Sequence, residues 1–373
     1  MLIRILTFST LLAFFIINFA LIVDRPLTPF YTHPYGSDLP NYFTGASILK
    51  SGLGTRLYDL DTQFQFQKTF VADSFNPSFL LPFRALPPTA LLYLPASHLP
   101  PPRALDAIFG FSLLTLSLLI LLAVKTIPHL TLQSLWLLAP LSFLPVTLAL
   151  LRAQPTIFFP IIFLLTSYFL RQRKPFHAGL SLCLLLLKPH FYPLPFLTLL
   201  LTTRQPKFLL GSLLGLVTFF ILSLLFVGPQ ALLTYPGFLQ KTESPNFGSH
   251  PEANISLPPR ASALLLAGFF LLIGASRPPA VTSLLLSSLV LPLTTGHTYH
   301  HDLTLLLFPL LVLTPHHPRL TLVLFFFSNI LSNSLLYLIP FFLFLLFPFL
   351  PIKNSIFGKF LRKYTSLEDI PSG

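Results

Sequence analysis

The sequence predicts an all-α, polytopic membrane protein: a helical bundle of about 12 transmembrane helices with its first loop outside the membrane. Hydrophobic residues make up 53% of the 373 residues and charged residues 9%, which leaves too few charges to solvate a soluble domain of this size. The 38 prolines and 41 phenylalanines fit helices that are broken or kinked inside a bundle. The net charge of +12 lies in short clusters between apolar runs, which indicates membrane topology rather than nucleic-acid binding.

The first apolar run covers residues 2–23 and carries Arg4 near its start. A signal peptide and an uncleaved anchor share this pattern. Because no small-x-small cleavage site follows the run, we expect an uncleaved anchor with the N-terminus in the cytoplasm. Residues 24–103 then form the first external loop, in which the proline-rich segment 75–99 is predicted to fold as interfacial or re-entrant helices. Residues 104–124 predict a complete span.

Two kinds of connection alternate between the later apolar runs. Short basic connections lie at 171–174, 204–207, 277, 316–319 and 353–363, and mixed polar connections lie at 152–154, 188–190, 229–260 and 297–302. Basic loops remain in the cytoplasm under the positive-inside rule, so this assignment puts both termini inside and every mixed connection outside. We therefore predict a membrane-embedded domain over residues 1–352 and a basic cytoplasmic tail over 353–373.

The stretch GSDLPNYFTGASILKSGLGTRLYDLD, residues 36–61, combines acids and glycines between apolar segments. Asp38, Tyr42 and Ala46 follow one another at intervals of four, which places them on one face of a helix. Gly52 or Gly54 is expected to end that helix with a left-handed cap. The pattern therefore predicts a carboxylate at the start of a helix just outside the membrane.

Several short motifs follow this stretch in a fixed order along the chain. They are Tyr58-Asp59, a proline-rich segment after Asn76-Pro77, Ala153-Gln154, Ala178-Gly179, Lys188-Pro189 and His301-Asp302. Together with the Asp38, Tyr42 and Ala46 pattern, the ordered set resembles glycosyltransferase family 87 over residues 30–312. The chain departs from the family pattern at Ala153, where a glycine usually precedes the glutamine.

The resemblance implies the architecture and activity of a C-type membrane glycosyltransferase. Such an enzyme transfers a hexose, commonly mannose, from a polyprenyl-phosphate donor to a hydroxyl of a glycan or glycolipid acceptor, on the external face of the cytoplasmic membrane. The implied reaction inverts the anomeric centre in a single displacement. The resemblance implies no nucleotide and no metal cofactor; the lipid-linked sugar is a substrate within the bilayer.

The resemblance also implies the residues of the site. Its carboxylate in the first external loop, the general base, matches Asp38 here. The departing phosphate gains negative charge, which cations stabilise, and ionisable residues at membrane depth indicate function. The expected substrate-binding residues are Tyr42, Tyr58, Asp59, Gln154, Lys188, His190, Arg260, His301 and Asp302.

Each of these expectations has an alternative in ordinary structural chemistry. Asp38 suits the N-cap of a helix that begins at Leu39-Pro40, and Lys188 suits the C-terminal end of an apolar helix. His297 and His301 share a helical face, but no second pair completes a metal site. At the level of the whole protein, a transporter or lipid flippase is also all-helical, although we find no internal repeat of the kind that transporters carry.

Overall fold

A computed structural model describes residues 2–23, 38–70, 80–127, 130, 138–243, 256–313 and 325. The predicted tail at 353–373, the basic connection at 316–319 and the Asn76-Pro77 motif lie outside these residues. Within them the chain forms helices and no β-strand, which confirms the all-α prediction. The α-helices are α1 (Leu2–Val23), α2 (Leu39–Lys50), α3 (Leu60–Lys68), α4 (Pro87–Tyr93), α5 (Pro101–Thr126), α6 (Ala139–Ser142), α7 (Leu144–Leu151), α8 (Phe159–Arg171), α9 (Pro175–Leu182), α10 (Pro193–Thr203), α11 (Pro206–Thr242), α12 (Pro259–Ser276), α13 (Ala280–Thr294) and α14 (Leu307–Leu313).

Short 3-10 helices connect several of these elements. They cover Gly54–Arg56, Ala96–His98, Pro155–Phe158, Cys183–Leu187, Pro189–Phe191 and His300–Leu306. Three of these six begin at a proline or directly after one, and proline lacks the amide hydrogen that a continuous α-helix requires. Three of them also lie at, or directly after, the mixed polar connections at 152–154, 188–190 and 297–302.

Three helices in the described part of the chain are long and apolar enough to cross a membrane. They are Arg103–Thr126 within α5, Pro206–Thr242 and Pro259–Ser276. Leucines on these helices are widely exposed, among them Leu114 at 69% and Leu225 at 74%, as expected of side chains that face lipid. These observations agree with a multi-pass membrane protein, whereas the number of 12 spans stays a prediction.

The prediction of an external loop over residues 229–260 is wrong for residues 229–242, because these residues are helical as far as Thr242. Gly228 interrupts the helix with φ 74° and ψ 169°, and Pro229 directly follows it. A proline fits the first position of a new helical segment, where its missing amide hydrogen costs no hydrogen bond. Gly228 therefore divides α11 into two helical segments that meet at a kink.

Helix α2 ends at one of the two glycines that the sequence predicts as its left-handed cap. Gly52 has φ +75°, a left-handed conformation that a glycine adopts without steric cost. Its backbone amide donates to the carbonyl of Leu49 at 3.1 Å, and the amide of Leu53 donates to the carbonyl of Ile48 at 3.1 Å. Gly52 thus ends the helix and satisfies its last carbonyl groups.

Two hydrophobic clusters hold the described residues together. The larger one fills the bundle, and the smaller one joins α2 to α4, to the region around Phe83 and to α11 through Val227 and Phe238. Phe83 is wholly buried against α2, where the position of a β-carbon on Gly45 lies 2.7 Å from its ring. This second cluster fixes α2, and with it Asp38, against the bundle.

Helices α9 and α11 cross in close contact. A β-carbon on Gly179 would lie 2.2 Å from the carbonyl oxygen of Phe208, and one on Gly211 would lie 2.0 Å from that of Phe176. Small residues at such crossings allow two backbones to approach within a membrane. The Ala178-Gly179 motif therefore has a packing role at this crossing.

We expect Gly211→Ala to destabilise the protein by about 1–3 kcal/mol, because the added methyl group must separate two backbones. Gly268→Ala is the matched control, since no atom lies within 4 Å of a β-carbon there and alanine favours the helix. Thermal unfolding of the two purified variants in detergent measures the difference. Equal stability of both variants would contradict this account of the crossing.

Candidate active site

Asp38 occupies the N-cap position of α2, but its side chain makes no hydrogen bond to the helix backbone. The capping alternative is therefore wrong for this carboxylate. Its Oδ2 atom instead accepts a hydrogen bond from Nε2 of Gln154. The backbone amide of Asp38 donates to the carbonyl of Arg152 at 3.3 Å, so the start of α2 is joined to the turn after α7 at two points.

Tyr42 fixes the orientation of the Gln154 amide. Its hydroxyl donates to Oε1 of Gln154 at 2.9 Å, and its ring stacks on that of Tyr93 with the centroids 4.6 Å apart. Burial raises the pKa of Tyr42 well above its ordinary value, so the hydroxyl keeps its proton and serves as the donor. The amide oxygen then faces Tyr42, and the amide nitrogen faces the carboxylate of Asp38.

The turn that presents Gln154 is conformationally strained. Ala153 is buried and has φ 52°, in the left-handed region that glycine normally occupies. The hydroxyl of Tyr93 donates to the carbonyl of Ala153 at 2.5 Å. The turn thus keeps the shape that a glycine would favour although this chain has alanine.

Lys188 and Asp302 form a buried ion pair. Nζ of Lys188 lies 2.6 Å from Oδ1 of Asp302, and the backbone amide of Tyr299 donates to Oδ2 of Asp302 at 2.9 Å. The Asp302 side chain is fully buried and that of Lys188 is 13% exposed. Lys188 therefore points into the protein, and the alternative of a lysine that extends along the helix end to water does not describe it.

His301 lies between two cationic side chains. Its Nε2 atom is 3.4 Å from Nζ of Lys188, and its Nδ1 atom is 3.4 Å from a guanidinium nitrogen of Arg152. The hydroxyl of Thr156 donates to the carbonyl of His301 at 3.0 Å, which holds the His301 turn against the turn at Gln154. Lys188 and Asp302 therefore belong to the same site as Asp38, because His301 and Arg152 connect them to it.

His190 and His297 form the edge of this site. Their ring centroids lie 5.8 Å apart, and Nδ1 of His297 is 3.4 Å from a carboxylate oxygen of Glu243. Burial lowers the pKa of His190, and the charge of Lys188 lowers it further. Burial also lowers the pKa of His297, with the carboxylate of Glu243 acting in the opposite direction. Within the described residues, no group of three His, Cys, Asp or Glu side chains is arranged to hold a metal ion.

Three predicted substrate-binding residues lie apart from this cluster. The hydroxyl of Tyr58 donates to the carbonyl of Ala85 at 2.9 Å within the smaller hydrophobic cluster. Asp59 caps α3, since its carboxylate accepts from the backbone amide of Thr62 at 2.7 Å. Arg260 is exposed in the first turn of α12, and no hydrogen bond or ion pair in the described part of the chain joins it to Asp38 or Asp302.

Other residues of the site have only weak signals in the sequence. Arg84 donates to the carbonyl of Thr242 at 2.6 Å and lies close enough to Glu243 and Asp38 for their charges to raise its pKa, although burial lowers it more strongly. Arg84 is the sole lysine or arginine within the apolar segment 75–99, which marks it as unusual. Tyr93 has no distinguishing feature in the sequence.

The model of glycosyltransferase family 87 matches residues 87–296, more than half of the 373-residue chain. The chain belongs to glycosyltransferase family 87. No curated protein and no solved structure matches it.

The matched part of this family 87 glycosyltransferase contains Gln154 and Lys188 but ends before His301 and begins after Asp38. Tertiary contacts join these outer residues to the matched part: Asp38 to Gln154, and Asp302 to Lys188. The cluster therefore combines residues inside the region that the family model matches with residues on both sides of it.

We expect Ala153→Gly to stabilise this glycosyltransferase by up to about 1 kcal/mol, because glycine relieves the left-handed backbone at that position. Ala149→Gly is the matched control. It replaces a buried alanine inside α7 and should destabilise by about 1 kcal/mol. Thermal unfolding in detergent compares the two, and a loss of stability in both variants would contradict the strain at Ala153.

Proposed function

We propose that this glycosyltransferase transfers a hexose, with mannose as the first candidate, from a polyprenyl-phosphate donor to a hydroxyl of a glycan or glycolipid acceptor. The observation that carries the proposal is one connected cluster that holds a half-buried carboxylate, Asp38, and two cations, Lys188 and Arg152. A transfer from a phosphate donor requires these two kinds of group close together: a base for the acceptor and positive charge for the leaving group.

Asp38 is the better candidate for the general base. Its carboxylate is half-buried and receives a hydrogen bond from Gln154, which leaves lone pairs for an acceptor hydroxyl. Asp302 is fully buried and ion-paired with Lys188. In the proposed step, the acceptor oxygen attacks the anomeric carbon and gives its proton to Asp38. The bond from the anomeric carbon to the phosphate oxygen breaks, and the phosphate leaves with the electron pair, which inverts the anomeric centre.

Lys188 and Arg152 are proposed to receive the phosphate. An ammonium group has three donors, of which Asp302 accepts one at 2.6 Å. Asp302 keeps the ammonium in place, and His301 separates it from the guanidinium of Arg152. Because these side chains supply the positive charge, the proposed reaction requires no metal ion or nucleotide.

The proposed location is the external face of the cytoplasmic membrane, with both termini inside. Helix α8 runs from the turn at Gln154 to the basic connection at 171–174, α9 leads back toward Lys188, and α10 runs away again to Arg204. Successive helices thus alternate between the site and basic connections, which supports a site on the side opposite the cytoplasmic loops.

The product assay is the direct test of this proposal. Membranes that contain the full-length protein are supplied with radiolabelled polyprenyl-phosphate mannose, with the corresponding glucose donor as a comparison, and the label is followed into an extracted acceptor. We expect transfer from at least one donor, with a product of inverted anomeric configuration. Movement of a solute or lipid across the membrane with no consumption of either donor would favour the transporter alternative instead.

We expect Asp38→Asn to lower turnover by about 10²–10⁴-fold, because the amide cannot accept the proton of the acceptor. The change preserves the size of the side chain and an oxygen for the hydrogen bond from Gln154. Asp59→Asn is the control: it retains the cap of α3 and should transfer sugar at a rate close to the wild type. Near-normal transfer by Asp38→Asn at equal membrane abundance would exclude Asp38 as the base.

We expect the double variant Lys188→Gln with Asp302→Asn to raise the donor KM or lower kcat by about tenfold or more, because a charge-assisted contact to the phosphate is lost. Changing both residues leaves no buried charge without its partner. Arg260→Gln removes an exposed cation outside the cluster and should change neither constant. Unchanged donor kinetics in the double variant would place the phosphate elsewhere.

A further inference from the structure

A cavity of about 410 Å³ lies at the end of α2 that is distant from Asp38. We call it the boundary pocket. Its walls include Phe43, Ser47 and Lys50 of α2, Ser51 directly after it, Thr69 after α3, Ser97 in the 3-10 helix Ala96–His98, and Pro101 at the start of α5. All of these residues lie within the first external loop of the sequence prediction.

The boundary pocket is separate from the Asp38 cluster. Asp38 precedes α2 and Lys50 ends it, and twelve helical residues extend over about 18 Å. Phe43, Ser47 and Lys50 follow the i, i+4, i+7 spacing of one helix face. Tyr42, which contacts Gln154, lies on another face of the same helix.

The pocket opens where a membrane span begins. Pro101 is the first residue of α5, and the span starts at Arg103. Further along α5, Leu114, Leu118 and Leu121 are 69%, 54% and 62% exposed, as expected of side chains that face lipid. They lie on another face of the helix than Pro101, whose own face continues through the buried Leu105, Ile108 and Ser112. The pocket therefore lies at the end of a lipid-facing span, at the depth where phospholipid headgroups meet the bilayer.

Lys50 gives the pocket a positive charge that no acid neutralises within the described residues. Its Nζ atom donates to the carbonyl of Ser97 at 3.0 Å, which leaves two of the three ammonium donors for a ligand. No carboxylate of the described residues lies within ion-pair distance of this ammonium. Lys68 directly precedes Thr69 of the pocket wall, Arg103 lies two residues after Pro101, and both cationic side chains are exposed. This charge favours an anionic ligand.

The hydroxyl groups of the pocket add a second requirement. Ser51, Thr69 and Ser97 already donate their hydroxyl hydrogens to backbone carbonyl groups, at 2.9, 2.7 and 2.7 Å. Their oxygens therefore remain as acceptors. A matching ligand carries hydroxyl donors in addition to an anionic group.

We propose that the boundary pocket binds the headgroup of an anionic phospholipid that carries free hydroxyls, with the phosphate on Lys50 and the acyl chains in the adjoining bilayer. The lipid binds to the protein at the membrane boundary, away from the carboxylate of Asp38, and is not a reactant. The proposal is independent of the sugar donor and of the transfer reaction, and its test measures lipid retention rather than turnover.

The test is native mass spectrometry of the purified full-length protein with added lipid. Phosphatidylglycerol supplies an anionic phosphate and hydroxyls, and phosphatidylcholine supplies neither a net charge nor hydroxyls. We expect the wild type to retain phosphatidylglycerol in preference to phosphatidylcholine, and Lys50→Gln to reduce that retention about tenfold. Ser47→Phe keeps every cation but fills the cavity, and it should reduce retention to a similar extent. Lys207→Gln, a change of an exposed lysine at the start of α11, should leave retention unchanged.

Three results would overturn the proposal. Equal retention of both lipids would exclude recognition of the anionic, hydroxylated headgroup. Unchanged retention in both Lys50→Gln and Ser47→Phe would place the lipid elsewhere on the protein. Binding of soluble glycerol phosphate as tight as that of the lipid would exclude a contribution from the acyl chains and identify a water-soluble phosphate as the ligand. Membrane abundance and thermal stability of each variant establish that it is folded.

Discussion

The amide of Gln154 is the contact on which the organisation of the site depends. It receives a hydrogen bond from Tyr42 of α2 and gives one to Asp38 at the start of that helix, and both residues lie more than 110 positions earlier in the chain. Displacing a buried amide whose oxygen and nitrogen are both hydrogen-bonded is costly, because each partner would lose its hydrogen bond. The left-handed turn at Ala153 and the stacked rings of Tyr42 and Tyr93 serve this one arrangement.

The pairing of Lys188 with Asp302 organises the other half of the site. An isolated charge in this environment is strongly unfavourable, whereas a hydrogen-bonded pair is tolerated. The pair lies in contact with His301, which in turn contacts Arg152, and Arg152 precedes the turn that carries Gln154. Positive charge is thus held near Asp38 by side chains from three separate parts of the chain. A polar site with this distribution of charge suits the chemistry of a glycosyltransferase that acts at a membrane.

Close backbone contacts explain why the helices that support the site are arranged as they are. Glycines at 179 and 211 allow α9 and α11 to meet, and α11 packs around Gly228 against the 3-10 helix after α2 and against α4. Thr89 also links α4 to the turn before Lys188 through a hydrogen bond to Leu187 at 3.0 Å. The first loop and the bundle are therefore parts of one packed unit in the described residues.

The sequence by itself determined the membrane class, the end of α2 at Gly52 and most of the residues of the cluster, because composition, glycine chemistry and motif order are properties of local sequence. It did not determine that α11 continues past Gly228, that Asp38 faces Gln154 instead of capping its helix, or that Tyr58 and Asp59 lie apart from the cluster. Only the tertiary structure decided these points. Each depends on the packing of segments far apart in sequence, which fixes where a side chain finds its hydrogen-bond partner.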